Sequence, residues 1–277
     1  MLLSHCFGNG RRDVSNGEFA ERAISPVALL MDKTVPVIAS AYRTVIGCCI
    51  LGVAAILSLT QTATVVGANE PSARPVRVFL LAGQSNMEGQ GVVDLDHPEH
   101  YNGGKGTLGQ VMRTTDQPEQ YVGVKDAKGE WTVREDVWIR FKTRHELKCG
   151  NLSIGFAGYP GRHHIGPEFQ FGRVVGDKME SQVLLIKTAW GGKSLYKDFR
   201  PPSAGGEVGA YFTQMIEEAE EALRRLSDEF PQYDGRGYEF AGFVWFQGWN
   251  DMFDDQGRSQ YETNLACLIN DVRSAFK

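Results

Sequence analysis

Apolar residues gather along this chain in short unbroken runs, with helical spacing between them. Val76-Arg77-Val78-Phe79-Leu80-Leu81-Ala82, Val183-Leu184-Leu185-Ile186-Lys187-Thr188-Ala189-Trp190 and the stretch Glu239 to Phe246 are rich in β-branched and aromatic residues. Runs of this length read as strands buried on both faces. Three segments change to the helical period. Ile165-Gly166-Pro167-Glu168 opens a helix to about Met179, with proline in the first turn and an acidic residue at the positive end. A second helix is predicted from about Ala210 to Ser227, with Met215, Ala219 and Leu223 on one stripe, and a third from Gln260 to Phe276, with Leu265, Leu268 and Val272 spaced for burial. Strands alternating with helices predict an α/β fold with a parallel sheet covered on both faces.

The remaining segments are less periodic. Glu88 to about Gly150 is rich in Gly, Asp, His and Lys, with turns expected at Asn102-Gly103-Gly104 and Ala127-Lys128-Gly129. Trp131-Thr132-Val133 and Val137-Trp138-Ile139-Arg140-Phe141 are expected to form a hairpin or an extra strand pair, and the whole segment reads as a binding loop more than as scaffold. Pro201-Pro202-Ser203-Ala204-Gly205-Gly206 reads as a disordered loop. Residues 1–75 form an extension apart from the domain at 76–277. Within it Val45 to Thr60 is a run of sixteen uncharged residues, preceded by Lys33 and Arg43 and followed by Val66-Gly67-Ala68. The segment at about 43–68 therefore reads as a secretory signal, with Met31 as an alternative start. Export to a secreted or periplasmic location is expected, with membrane attachment only if the segment is uncleaved.

Composition narrows the function by exclusion. The net charge of −5 comes with no dominant basic patch, which argues against a nucleic-acid partner. Cleavage near Ala68 leaves Cys149 and Cys267, too few for a disulfide scaffold; pairing or burial as thiols both stay open. Asp94, Asp96, Asp251, Asp254 and Asp255 lack the spacing of a calcium loop, and neither a metal cluster nor a cofactor is expected. Gly191-Gly192-Lys193-Ser194 superficially matches the end of a phosphate-binding loop, but Lys187 stands where that loop needs its first glycine. Nucleotide binding is excluded.

The chemistry lies at the ends of the apolar runs. The first delivers Gly83-Gln84-Ser85-Asn86-Met87, the second Gly191-Gly192, the third Gln247-Gly248-Trp249-Asn250-Asp251. Ligands of open α/β sheets bind at such strand tips. A hydroxyl, a turn without side chains and side-chain amides are what acyl transfer needs. Ser85 is the candidate nucleophile, although a strand-end serine alone is commonly a turn or helix cap. Its surroundings are not the Gly-x-Ser-x-Gly elbow. Gly192, beside Gly191, offers a backbone N–H that can approach an oxyanion. Asn250 is the preferred side-chain donor and Gln247 the second candidate; either could instead satisfy buried backbone groups. Gln84 borders the nucleophile. Trp190 and Trp249 are candidates for a sugar platform, against the plainer reading of core residues. His163 and His164 precede a helix on a loop near these tips, His164 being a candidate substrate contact.

Gly-Gln-Ser-Asn-Met, Trp-Gly-Gly and Trp-Phe-Gln-Gly-Trp-Asn-Asp, in that order, resemble the blocks of SGNH-type esterases of the sialate O-acetylesterase and acetylxylan esterase branch (carbohydrate esterase family 6-like), over about residues 76 to 276. The resemblance implies a three-layer α/β/α, flavodoxin-like SGNH hydrolase domain whose substrate is an acetylated carbohydrate. It makes Ser85 the nucleophile, has Gly192 with Asn250 or Gln247 hold the oxyanion, and assigns the base to an Asp-x-x-His segment. No such segment follows Asp251 before Lys277. The domain is accordingly expected to be incomplete at its C-terminus, to lack its last strand, to expose a sheet edge and to hydrolyse acetyl esters feebly or not at all. A carbohydrate-binding protein that has kept the cleft but not the chemistry is the alternative. A lipase or thioesterase of the wider group is a further one, against which Gln84, Trp245 and Gln247 favour the carbohydrate branch.

Overall fold

The computed structural model describes residues 74–94 and 105–277 together with the backbone of Val27–Leu30. The signal-like segment, His97, His100 and the expected turn at Asn102-Gly103-Gly104 lie outside the described residues. The elements in chain order are β1 (Val27–Leu30), β2 (Val76–Gly83), α1 (Ser85–Glu88), β3 (Gly91–Val92), α2 (Leu108–Thr114), β4 (Arg134–Lys142), β5 (Leu147–Leu152), β6 (His164–Ile165), α3 (Pro167–Gly176), β7 (Val183–Ala189), α4 (Ala210–Arg224), α5 (Leu226–Glu229), β8 (Tyr238–Phe246) and α6 (Asp255–Ala275).

One sheet runs in the order β1-β8-β2-β7-β4-β5. Its four inner strands are parallel, and both edge strands pair antiparallel with their neighbours. Side-chain alternation along β2 divides the core into two halves. Val76, Val78, Leu80 and Ala82 pack with Met215 and Ala219 of α4 and Leu268 and Val272 of α6. Phe79 and Leu81 point the other way, onto Val175 of α3 and Met87 of α1. Two helices thus cover one face and two the other, the expected three layers, and β2, flanked by β8 and β7, carries its C-terminal tip to the middle of the sheet.

Local chemistry explains where the elements depart from the hydrophobic pattern. The helix predicted from Gln260 begins at Asp255, because the Asp254 carboxylate caps it by accepting from Gln256 N at 2.9 Å and Gly257 N at 3.0 Å. Val137 to Phe141 does not pair with Trp131 to Val133. It belongs to β4, which lies parallel to β7 and antiparallel to β5. Much of the segment read as a binding loop is therefore scaffold. β5 was illegible because Leu147-Lys148-Cys149-Gly150-Asn151-Leu152 shows neither an apolar run nor alternation. The sheet is in consequence mixed at its edges, not parallel throughout. Pro201 to Gly206 is ordered: Arg200 donates to the carbonyls of Ala204 and Gly205, and Ser203 N to Asp271. On its outer side β8 pairs over Phe243–Phe246 with β1. Cys149 and Cys267 are both free, and burial, then the neighbouring Glu229 charge, push the Cys149 thiol up to about 12.

A buried ion pair beneath the tip of β2 sets the position of α1. Lys187 on β7 and Glu168 on α3 are both fully buried, with Nζ 2.7 Å from Oε2. The ammonium also donates to the carbonyls of Glu88 at 3.0 Å and Phe156 at 2.8 Å, so its three hydrogens meet three acceptors. The other carboxylate oxygen accepts from Gly166 N at 2.7 Å. Burial pulls the Lys187 pKa below its ordinary value and the Glu168 charge opposes that pull. Removing one partner leaves a buried unpaired charge, so Lys187→Met is expected to cost about 3–5 kcal/mol in urea unfolding. The double variant Lys187→Met/Glu168→Leu is expected to recover part of that loss. Equal losses in single and double variants would contradict the pairing.

Candidate active site

The tips of β2, β7 and β8 are tied together by their own backbones. Gly83 ends β2 so close to β8 that a Cβ there would lie 2.2 Å from Phe246 O, a space only glycine fits. Gly83 O accepts from Trp190 N at 3.1 Å, and Gln84 N donates to Phe246 O at 3.3 Å. The Gln84 side chain is buried and accepts from Asn250 N at 3.4 Å. Asn250 Nδ2 in turn donates to Gly192 O at 2.9 Å. These bonds close a ring through the blocks that carry Ser85, Gly192 and Asn250, far apart in sequence but joined around one place.

Ser85 opens α1 directly after β2, half-buried. Its amide is the first of the helix and so has no acceptor within it. Among the described residues neither the Ser85 hydroxyl nor Gly192 N has a hydrogen-bond partner. Gly192 needs its lack of side chain for conformation, at φ 75° with open space around its Cβ position. Gly191 needs it for proximity: a Cβ there would sit 2.8 Å from Glu88 Oε2 and 3.6 Å from Ser85 Cβ. Asn250 uses one amide hydrogen on Gly192 O and keeps the second free. The site therefore holds a hydroxyl, backbone N–H groups and one side-chain N–H without internal acceptors, the equipment to meet a carbonyl oxygen as it gains charge.

The other candidates divide. Gln247 is buried, and its amide nitrogen donates to Lys193 O at 2.9 Å and Asp251 Oδ2 at 2.6 Å. Both hydrogens are spent, so Gln247 is a strut and not an oxyanion donor. Trp190 is buried against Phe199 and Tyr211, with ring centroids 5.9 and 5.1 Å away, and so belongs to the core instead of a sugar platform. Trp249 is 62% exposed, edge-on to Phe253, and remains available as a platform. His164 stacks on Tyr159 at 5.1 Å and has no partner for Nδ1. Burial first, then the nearby charges of His163 and Lys148, hold its imidazole below the ordinary range, hence neutral at pH 7. His163 lies 2.7 Å from the Asp94 carboxylate on the surface. Lys193 and Ser194 are engaged by Asp198, an arrangement unlike a phosphate cradle.

Two residues escaped the sequence reading. Asp251 is buried and accepts from Leu195 N and Tyr196 N, each at 2.8 Å, as well as from Gln247. It fastens the loop after β7 to the loop after β8. Its place inside an otherwise polar block was the only signal. Glu88, one helical turn beyond Ser85, points its carboxylate at Gly191; nothing in its composition distinguished it from a solvated charge.

The chain is an α/β protein, a mostly parallel sheet covered by helices on both faces with its candidate site at the strand tips. The family model for carbohydrate esterases described as sialic acid-specific acetylesterases matches residues 75–277, and the chain belongs to that family. It is 24% identical over 204 residues to a probable carbohydrate esterase of Arabidopsis thaliana, across 72% of this chain and 64% of the relative's length. The chain thus spans less than two-thirds of that protein. Among solved structures it is similar to an Arabidopsis thaliana protein (TM-score 0.44, 19% identity, 73% of this chain and 69% of the other). It is also similar to a novel carbohydrate acetylesterase from Xanthomonas citri (TM-score 0.38, 15% identity, 72% of this chain and 38% of the other).

Because both of its N–H groups hold buried acceptors, Gln247→Ala is expected to lower stability by about 1–3 kcal/mol in denaturant unfolding. An unchanged unfolding midpoint would show that the strut is not under load.

Proposed function

We propose that this protein is a carbohydrate O-acetylesterase that uses Ser85 as its nucleophile. The observation that supports this most is the ring of bonds that brings Ser85, Gly192 and Asn250 together, their donors left without an acceptor among the described residues. Ser85 Oγ attacks the acetyl carbonyl carbon. The carbonyl π electrons move to oxygen, where Ser85 N, Gly192 N and the free Asn250 hydrogen receive the charge. The Ser85 proton passes through a general base, the role the family pattern gives to an Asp-x-x-His histidine, to the departing sugar oxygen. Water then attacks the acetyl-serine and releases acetate, regenerating the hydroxyl.

Family membership supports an acetylated sugar as the substrate class, and the exposed ring of Trp249 suits the apolar face of a pyranose. Export, carried by the signal-like segment, is consistent with a polysaccharide substrate.

Acetate release from partly acetylated xylo-oligosaccharides is expected to vanish in Ser85→Ala and to fall by about two to three orders of magnitude in kcat in Asn250→Ala. Labelling by a fluorophosphonate, mapped to Ser85 by mass spectrometry, is expected in the unmodified protein. Retained turnover in Ser85→Ala would overturn the nucleophile assignment. Sugar binding without acetate release would favour a lectin-like role.

A further inference from the structure

The carboxylate of Glu88 has no role in the acyl-transfer scheme above, and its placement is unusual for a spare charge. Ser85 and Glu88 are three residues apart on α1, so both side chains leave the helix on one face. The Glu88 side chain lies between two glycines. A Cβ on Gly158 would meet Glu88 Cβ at 3.2 Å and Cγ at 3.5 Å, and one on Gly191 would meet Oε2 at 2.8 Å. Its backbone is held as firmly: Glu88 O accepts from Gly158 N at 2.8 Å and from the buried Lys187 ammonium at 3.0 Å. Yet among the described residues the half-buried carboxylate has no hydrogen-bond or ion-pair partner.

An ionised carboxylate accepts and cannot donate. One that is partly withdrawn from water, attracted by the Lys187 charge but left without a hydrogen-bond donor among the described residues, is open to a donor that arrives with the ligand. The position at Gly191 where Glu88 Oε2 and Ser85 Cβ come together is occupied by no side chain, and the two groups do not bond to each other. A ligand held at Ser85 by its ester therefore presents its next atoms to Glu88. On an acetylated sugar the hydrogen-bond donors next to the ester are the hydroxyls of neighbouring ring carbons.

We propose that Glu88 is a specificity-determining residue, accepting a hydrogen bond from a free hydroxyl beside the acetylated carbon. This inference rests on the O-acetylesterase reading and deepens it. The site then selects neutral, partly acetylated sugars. It discriminates against fully acetylated ones, which offer no donor, and against sugar acids whose carboxylate falls at this point, where two like charges repel.

The test compares kcat/KM per acetyl group for methyl xyloside carrying one acetyl group, for fully acetylated methyl xyloside and for p-nitrophenyl acetate. The unmodified protein is expected to prefer the mono-acetylated sugar over the fully acetylated one. Glu88→Ala is expected to lower kcat/KM for the mono-acetylated sugar about tenfold to a hundredfold more than for p-nitrophenyl acetate, the scale of one hydrogen bond to a charged group. It should also erase the preference between the two sugars. Glu88→Gln, which keeps the volume and one acceptor oxygen, is expected to fall between, and thermal melting of both variants checks that they fold. Equal losses on all three esters, or no loss on the mono-acetylated sugar, would overturn the role of Glu88 while leaving the esterase reading intact. Turnover of p-nitrophenyl acetate with no acetate release from either sugar would overturn the carbohydrate reading, and no turnover together with no fluorophosphonate labelling of Ser85 would overturn the esterase reading itself.

Discussion

A single lysine in the middle of an apolar strand governs this structure. Lys187 sits on β7 with no access to water, and Glu168 beside it is equally enclosed. A charge in that position is tolerated only when it is paired and every hydrogen is accepted. Lys187 meets the requirement with Glu168 and the carbonyls of Glu88 and Phe156. Those acceptors belong to α1, to the loop before β6 and to α3, so the ammonium can be satisfied only when they are all in register. The same requirement holds the far end of the short helix that begins with Ser85.

Above this anchor the site is built by backbone more than by side chains. Gly83 and Gly191 let chain segments approach one another, Gly192 supplies a left-handed turn, and the links between the segments run from amide to carbonyl or through Gln84 and Asn250. Asp251 and Gln247 then bind the outer loops together from within the core. Among the described residues, the Ser85 hydroxyl, Gly192 N, the second hydrogen of Asn250 and the Glu88 carboxylate stand at these strand tips without a hydrogen-bond partner.

The three long apolar runs were legible because strands buried on both faces leave no other reading for Val78-Phe79-Leu80 or Leu184-Leu185-Ile186. Ser85, Gly192 and Asn250 were legible because they follow those runs directly. What escaped depended on partners distant in sequence. Glu168 read as a helix-end charge, since nothing near it announced Lys187. Gln247 and Asn250 are similar amides three residues apart, and only tertiary contacts show that one is consumed by Lys193 and Asp251 while the other keeps a free hydrogen. Trp190 and Trp249 read alike, yet one fills the core beside Phe199 and the other faces water. β5 escaped because an edge strand carrying Lys148, Gly150 and Asn151 lacks any hydrophobic period.

The central claim is that an oxyanion formed on Ser85 points between the turn after β7 and the loop after β8. A crystal structure of the protein phosphonylated at Ser85 measures this directly, since the phosphonyl oxygen marks where that charge develops. This oxygen is expected within about 3.1 Å of both Gly192 N and Asn250 Nδ2. A phosphonyl oxygen turned toward solvent, with those two donors unused, would contradict it.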